Sequence, residues 1–323
     1  MSDPTSQPSD AERAAARHTR IRRIAGLVAG LLIVGFLVWN VAGNWSEVSG
    51  YDWHLDAGLL VAGIAVLLGF YLAAGLGYVG IVERLGVERP HRLALLSVWA
   101  KSLLGRYVPG NVLMVTGRVV LGREVGVPAR VSLAASVYEQ TIVLATAAIA
   151  SLVFLAGYEG PSGAPWVALA VGTVAGLALL HPRVFRPVTT WLLRKVGREP
   201  LQEFLSERQL AGAFAYYLVA NALLGAGVWL LVRSSAGPEA GDLGYVGLAY
   251  LLSFVVSMVA FVFPSGLGIR EAGFAVALGA NLPDDVAFAV SIGVRLALTV
   301  VELVFVAAAV AVARASGRRA HEN

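Results

Sequence analysis

The chain has 323 residues, of which 57% are hydrophobic and 14% charged, with a mean hydropathy of +0.72. Soluble globular domains carry about 25% charged residues, so the composition excludes that class and implies a polytopic membrane protein. The net charge is only +4, cysteine is absent, and His18, His54, His91, His181 and His321 are scattered without partners at ligand spacing; disulfides and thiolate metal sites are excluded, and no metal or cofactor is expected.

Residues 1–23 are polar and carry Arg13, Arg17, Arg20, Arg22 and Arg23. They read as a disordered basic tail at the cytoplasmic surface. The remainder divides into one transmembrane domain, 24–313, and a short polar tail, 314–323. Seven apolar segments are long enough to be read as spans: Ile24–Gly43, Ala57–Val82, Val131–Leu155, Pro165–Leu180, Leu210–Val232, Gly244–Phe263 and Val286–Ala313. The expected fold class is therefore all-α, a polytopic membrane helix bundle of about seven to eight spans.

Lysine and arginine alternate along the connections. Residues 83–130 hold eight and residues 182–209 hold six, whereas 44–56, 157–164 and 234–243 hold none. The positive-inside rule places the amino terminus and both basic connections in the cytoplasm of a cell carrying this protein in its plasma membrane. Arg314, Arg318 and Arg319 favour a cytoplasmic carboxyl terminus as well. Seven spans would end outside, and a crossing by residues 264–282 as an eighth, broken span removes the conflict. Within 182–209, Val184, Phe185, Val188, Trp191 and Leu192 alternate with Arg183, Arg186, Arg194 and Lys195, the pattern of an amphipathic helix lying on the membrane surface. A solvated linker is the competing reading.

Two apolar stretches are interrupted. The first runs from Lys101 to Arg118 through Arg106, Tyr107, Pro109, Gly110 and Asn111; the second contains Pro264, Gly266, Gly268, Arg270 and Glu271. Proline lacks an amide hydrogen and disfavours helix before it, and glycine loosens the backbone further. Broken helix at membrane depth survives only where protein or a wet cavity covers it. Both stretches are accordingly read as broken or re-entrant segments lining a polar cavity.

Charges inside apolar spans are costly and need a reason. Glu139 lies in the third span. Arg295 and Glu302 lie seven residues apart in the last one, hence on one helix face. With Lys101, Arg106, Arg118, Arg270 and Glu271 they form the candidate substrate site, to which Tyr107 and Asn111 can add hydrogen bonds. Internal pairing that merely fixes helix packing competes with this for each charge, as an interface tyrosine and a turn asparagine do for Tyr107 and Asn111. Each break is followed by a long span carrying a glutamate, Glu139 or Glu302, a weak hint of duplication.

The run Lys101…Arg106-Tyr107-Val108-Pro109-Gly110…Gly117-Arg118, then Glu139, then Pro264-Ser265-Gly266-Leu267-Gly268-Ile269-Arg270-Glu271-Ala272, resembles the lysylphosphatidylglycerol synthase transmembrane-region family. That family includes the flippase portion of the multiple peptide resistance factor. The resemblance implies translocation of an anionic, aminoacylated or lipid-linked substrate between leaflets, with membrane phospholipids or a lipid-linked molecule as partners. It implies transport rather than catalysis, with no catalytic residues and no nucleic acid. Lys101, Arg118 and Arg270 would face the phosphate. No Gly-Lys-Ser/Thr phosphate loop appears in the sequence, so transport would be passive or ion-driven. The alternative is a non-transporting membrane partner of a glycosyltransferase or lipid synthase.

Overall fold

The computed structural model describes residues 55–87, 90–107, 112–157, 182–195, 203–259 and 268–322, with a few isolated positions between 171 and 201. The amino-terminal tail, the expected span Ile24–Gly43, all but three isolated positions of the expected span Pro165–Leu180, and the break residues Pro109, Gly110, Asn111, Pro264 and Gly266 lie outside the described residues. Those that are described are almost all helical. They form α1 (Ala57–Arg84), α2 (Arg92–Leu103) continued by a 3-10 turn (Leu104–Tyr107), α3 (Val112–Glu124), α4 (Ala129–Gly157), α5 (Pro182–Lys195), α6 (Glu207–Ala236), α7 (Leu243–Val259), α8 (Ile269–Leu278) and α9 (Asp284–Glu322).

Four of these helices, α1, α4, α6 and α9, are long and apolar enough to cross a membrane. α1 and α6 are antiparallel neighbours. The amide of Asp56, the N-cap of α1, donates to the Ser234 carbonyl at the far end of α6 (2.8 Å), and Tyr216 and Tyr217 donate to the Ala73 and Ala74 carbonyls. Small residues allow the approach. A methyl group at Gly227 would lie 2.6 Å from Leu67 Cγ, and one at Gly225 would lie 3.2 Å from Gly247 Cα, where α6 crosses α7.

α2 with α3, and α7 with α8, pair as two hairpins. In the first, Arg118 Nε of α3 donates to Ser102 Oγ of α2 (2.9 Å), and a methyl at Gly105 would meet the Met114 amide nitrogen at 2.5 Å. The arms are therefore antiparallel, and the chain leaves at the face where it entered. That face carries Arg92 paired with Glu83, and Arg130 paired with Glu199; it is called here the basic face.

In the second hairpin, Tyr245 of α7 donates to the Ala277 carbonyl at the end of α8 (2.5 Å), Gly273 packs beside Ser253, and Arg270 Nε reaches Ser257 Oγ at 3.4 Å. These registers make α8 run back along α7 to the face opposite the basic one. α9 starts there and returns across the bundle. This return of α8 to the starting face is what the charge count required of residues 264–282, read above as a broken crossing or a re-entrant segment. The carboxyl end therefore reaches the basic face, because α7 and α8 together return the chain to the face from which it came. α8 has 10 residues, about 15 Å of helix against a hydrocarbon thickness of about 30 Å. The apolar arm α7 matches a span in composition but, at 17 residues, is shorter than the four long helices.

The two hairpins enter from opposite faces, and each is followed by a long helix, α4 after the first and α9 after the second. This is the arrangement of an inverted-topology pair.

α5 has the amphipathic form expected of it. Phe185, Thr189 and Leu193 are buried, while Val184, Val188 and Trp191 are exposed beside Arg194 and Lys195. Phe185 stacks on Tyr138 of α4, with ring centroids 3.7 Å apart.

Candidate functional site

The hairpin ends meet at mid-depth. A cavity of about 130 Å³ is lined by Arg106 and Met114 from the first hairpin, by Tyr250, Phe254, Met258 and Arg270 from the second, and by residues of all four long helices. One water needs only about 10–15 Å³ of such space. The depth follows from residue counting. Phe70 and Tyr71 are the fourteenth and fifteenth of the 28 residues of α1, and Val143 is the fifteenth of the 29 of α4. Asn221 is likewise the fifteenth of the 30 residues of α6.

Three arginine–glutamate pairs border this space, and each ties a hairpin to a long helix. Arg118 of α3 pairs with Glu139 of α4, and Arg106 of the 3-10 turn with Glu302 of α9. In the third pair the polarity is reversed: Glu271 of α8 faces Arg295 of α9 at 3.2 Å. Five of the six charges are deeply buried, Arg118 at 1% exposure and Glu302 at 0%, while Arg106 is partly exposed. At such depth a lone ion is far more costly than a paired one, which accounts for the pairing.

A neighbouring group also donates to each carboxylate, although Glu271 Oε1 and Glu302 Oε1 have no hydrogen-bond partner among the described residues. Glu139 accepts from Trp99 Nε1 (2.6 Å), and Glu302 accepts from the Tyr71 hydroxyl (3.0 Å). Glu271 accepts from the Gly268 amide (2.9 Å), closing the first turn of α8. Gly268 takes φ = 78° there, a left-handed conformation that suits a residue without Cβ. Arg118 is further held over the Tyr78 ring, 4.7 Å from its centroid.

Of the residues singled out in the sequence, Arg106, Arg118, Glu139, Arg270 and Arg295 line the cavity, while Glu271 and Glu302 stand directly behind their arginines. Lys101 does not join them; it lies half-buried in the last turn of α2. Tyr107 ends the 3-10 turn, with the Arg106 guanidinium 5.7 Å from its ring centroid.

The sequence reading missed Tyr71, Trp99, Tyr217, Asn221 and Tyr250. Asn221 donates to Thr146 Oγ1 (2.8 Å) and bridges α6 to α4. A polar amide midway along an apolar span was a visible signal. The tyrosines and Trp99 were not distinguishable from the other aromatic residues of a membrane bundle. Among the described residues, no group of three or more histidine, aspartate or glutamate side chains is placed to hold a metal ion.

The family profile described as the lysylphosphatidylglycerol synthase TM region matches residues 23–306. The chain belongs to that family. The match takes in every element that forms the cavity, including both hairpins and the charged part of α9. It makes this a membrane protein of a family related to lipid synthesis or translocation. A comparison with curated protein sequences finds no match.

Proposed function

We propose that the protein moves a lipid headgroup between the two leaflets, with the mid-depth cavity as its waypoint. One observation carries the reading: two hairpins entering from opposite faces bring Arg106 and Arg270 to one polar cavity. Discontinuous helices meeting at the midplane are how transporters build sites that can open to either side. A headgroup crossing about 30 Å of hydrocarbon needs such a polar station, and arginines suit its phosphate through charge-assisted hydrogen bonds. On this reading the protein is a transporter rather than an enzyme. It acts in the cell membrane with its basic face toward the cytoplasm.

The test is a leaflet-accessibility assay in proteoliposomes holding headgroup-labelled lipids, quenched from outside by an impermeant reductant. Quenching beyond the outer-leaflet fraction is expected with the unaltered protein. It should be lost when the cavity is filled by Leu298→Trp in protein that remains monodisperse. No excess quenching from folded protein, or full quenching by the filled variant, would overturn the reading. The three ion pairs also suit a static scaffold for a membrane glycosyltransferase or lipid synthase. Absence of quenching together with co-purification of such an enzyme would move the assignment there.

A further inference from the structure

Four arginines line the cavity and three face a carboxylate. Arg270 is the fourth, and no carboxylate among the described residues pairs with it. Its guanidinium lies 4.8 Å from the Phe254 ring centroid and 5.9 Å from that of Tyr250. Its polar contacts are long, 3.4 Å to Ser257 Oγ and 3.4 Å to the Tyr250 hydroxyl. Such contacts hold a guanidinium in place without neutralising it.

A second observation points to the same spot. Arg295 is 6% exposed and lines the cavity, yet its Nη2 has no hydrogen-bond partner among the described residues, and its Nε approaches Glu271 Oε1 without hydrogen-bond alignment. Buried guanidinium donors are rarely left unused. Arg270 also sits in the first turn of α8, where the helix dipole favours negative charge.

We infer that Arg270, together with Nη2 of Arg295, is a phosphate subsite, and that the headgroup it takes is a phosphodiester with one net negative charge. This rests on the reading of the cavity as a headgroup site. The charge count decides the class. Four arginines against Glu139, Glu271 and Glu302 leave one positive charge, and a single anion restores neutrality in a poorly screened interior. A phosphodiester is a monoanion at neutral pH, and its two non-bridging oxygens match the guanidinium fork. Phe254 and Tyr250 offer apolar surface to the carbons on either side of the phosphate. A zwitterionic headgroup would leave the excess uncorrected, and a headgroup with net positive charge would double it.

The experiment is thermal unfolding of the purified, delipidated full chain in detergent, titrated separately with phosphatidylglycerol, phosphatidylcholine, lysyl-phosphatidylglycerol and inorganic phosphate. Phosphatidylglycerol should bind about tenfold more tightly than the other three, the scale of one charge-assisted contact. Arg270→Gln should lose that preference, and Arg270→Lys should keep part of it. Both variants should fold, because neither strands a carboxylate. Equal or tighter binding of either other lipid, or a preference surviving in Arg270→Gln, would overturn the inference. So would inorganic phosphate competing as well as the lipid, which would make the ligand a soluble anion. Binding is read here without vesicles. If phosphatidylglycerol preference persists while the leaflet assay shows no movement, the transport reading falls and this one stands. Translocation that ignores headgroup charge does the reverse.

Discussion

Arg118 keeps a guanidinium inside the bundle by surrounding it with Glu139, Ser102 Oγ and the faces of Tyr78 and Trp99. Removing one member of such a pair strands the other as a buried charge, at a cost of about 3–5 kcal/mol, whereas apolar replacement of both is often neutral. Arg118→Met is therefore expected to lower stability in detergent by that amount, and Arg118→Met with Glu139→Leu to recover most of it. A double variant as unstable as the single one would mean the site needs the charges for more than mutual neutralisation. The sequence shows which charges sit in apolar surroundings and that Arg295 and Glu302 share a helix face. It does not show that Glu302 answers to Arg106, 196 residues earlier, while Arg295 answers to Glu271. Pairing depends on where the hairpins end, and tertiary register sets that. Lys101 shows the converse error: a cation near a break in the sequence still points elsewhere once its helix is wound.

At the scale of elements, the glycines of the first hairpin separate tight contacts from loose ones. A Cβ at Gly105 would meet the Met114 nitrogen at 2.5 Å and the Leu113 carbonyl carbon at 2.6 Å. Backbone atoms cannot swing aside, so Gly105→Ala must force the arms apart. The expected loss is about 1–3 kcal/mol, the usual cost of overpacking. At Gly117 the nearest atoms, in Ser102, lie 4.0 Å away, and Gly117→Ala should be neutral or gain roughly 0.5–1 kcal/mol from helix propensity. Unfolding temperatures of the two variants should therefore shift in opposite directions or by clearly different amounts; equal losses would remove the close-packed hairpin as the explanation.

α5 permits a separate check, because a chain without cysteine accepts one unambiguous label. An environment-sensitive dye on Val188→Cys should shift to the blue in vesicles and more so with anionic lipid, as its exposed apolar and cationic neighbours require. A spectrum identical to that in detergent-free buffer would make α5 a solvated connection. Helices such as Ala129–Gly157, expected over Val131–Leu155, were legible because apolar length alone defines a span. The path of the second break was not legible, since a hairpin arm and a span share that composition.

At the scale of the whole molecule, the two hairpins make a topological claim that the seven apolar segments alone would contradict. If α7 and α8 form a re-entrant pair, the turn before α7 and the start of α9 lie on one face. If Gly244–Phe263 crossed alone, as a seventh span with no return through 264–282, those positions would lie on opposite faces. Glu239, Asp285 and Arg123 are all exposed and stand at the turn, the start of α9 and the basic face, respectively. Single cysteines at the three positions, treated in intact cells with an impermeant maleimide, separate the alternatives. Glu239→Cys and Asp285→Cys should label alike from outside, and Arg123→Cys only after the membrane is opened. Labelling of Glu239→Cys without Asp285→Cys would mean that one arm crosses alone, and would break the inverted pairing. The site reading depends on the same result: only hairpins entering from opposite faces bring Arg106 and Arg270 to one cavity from two sides, where one bound headgroup can meet both.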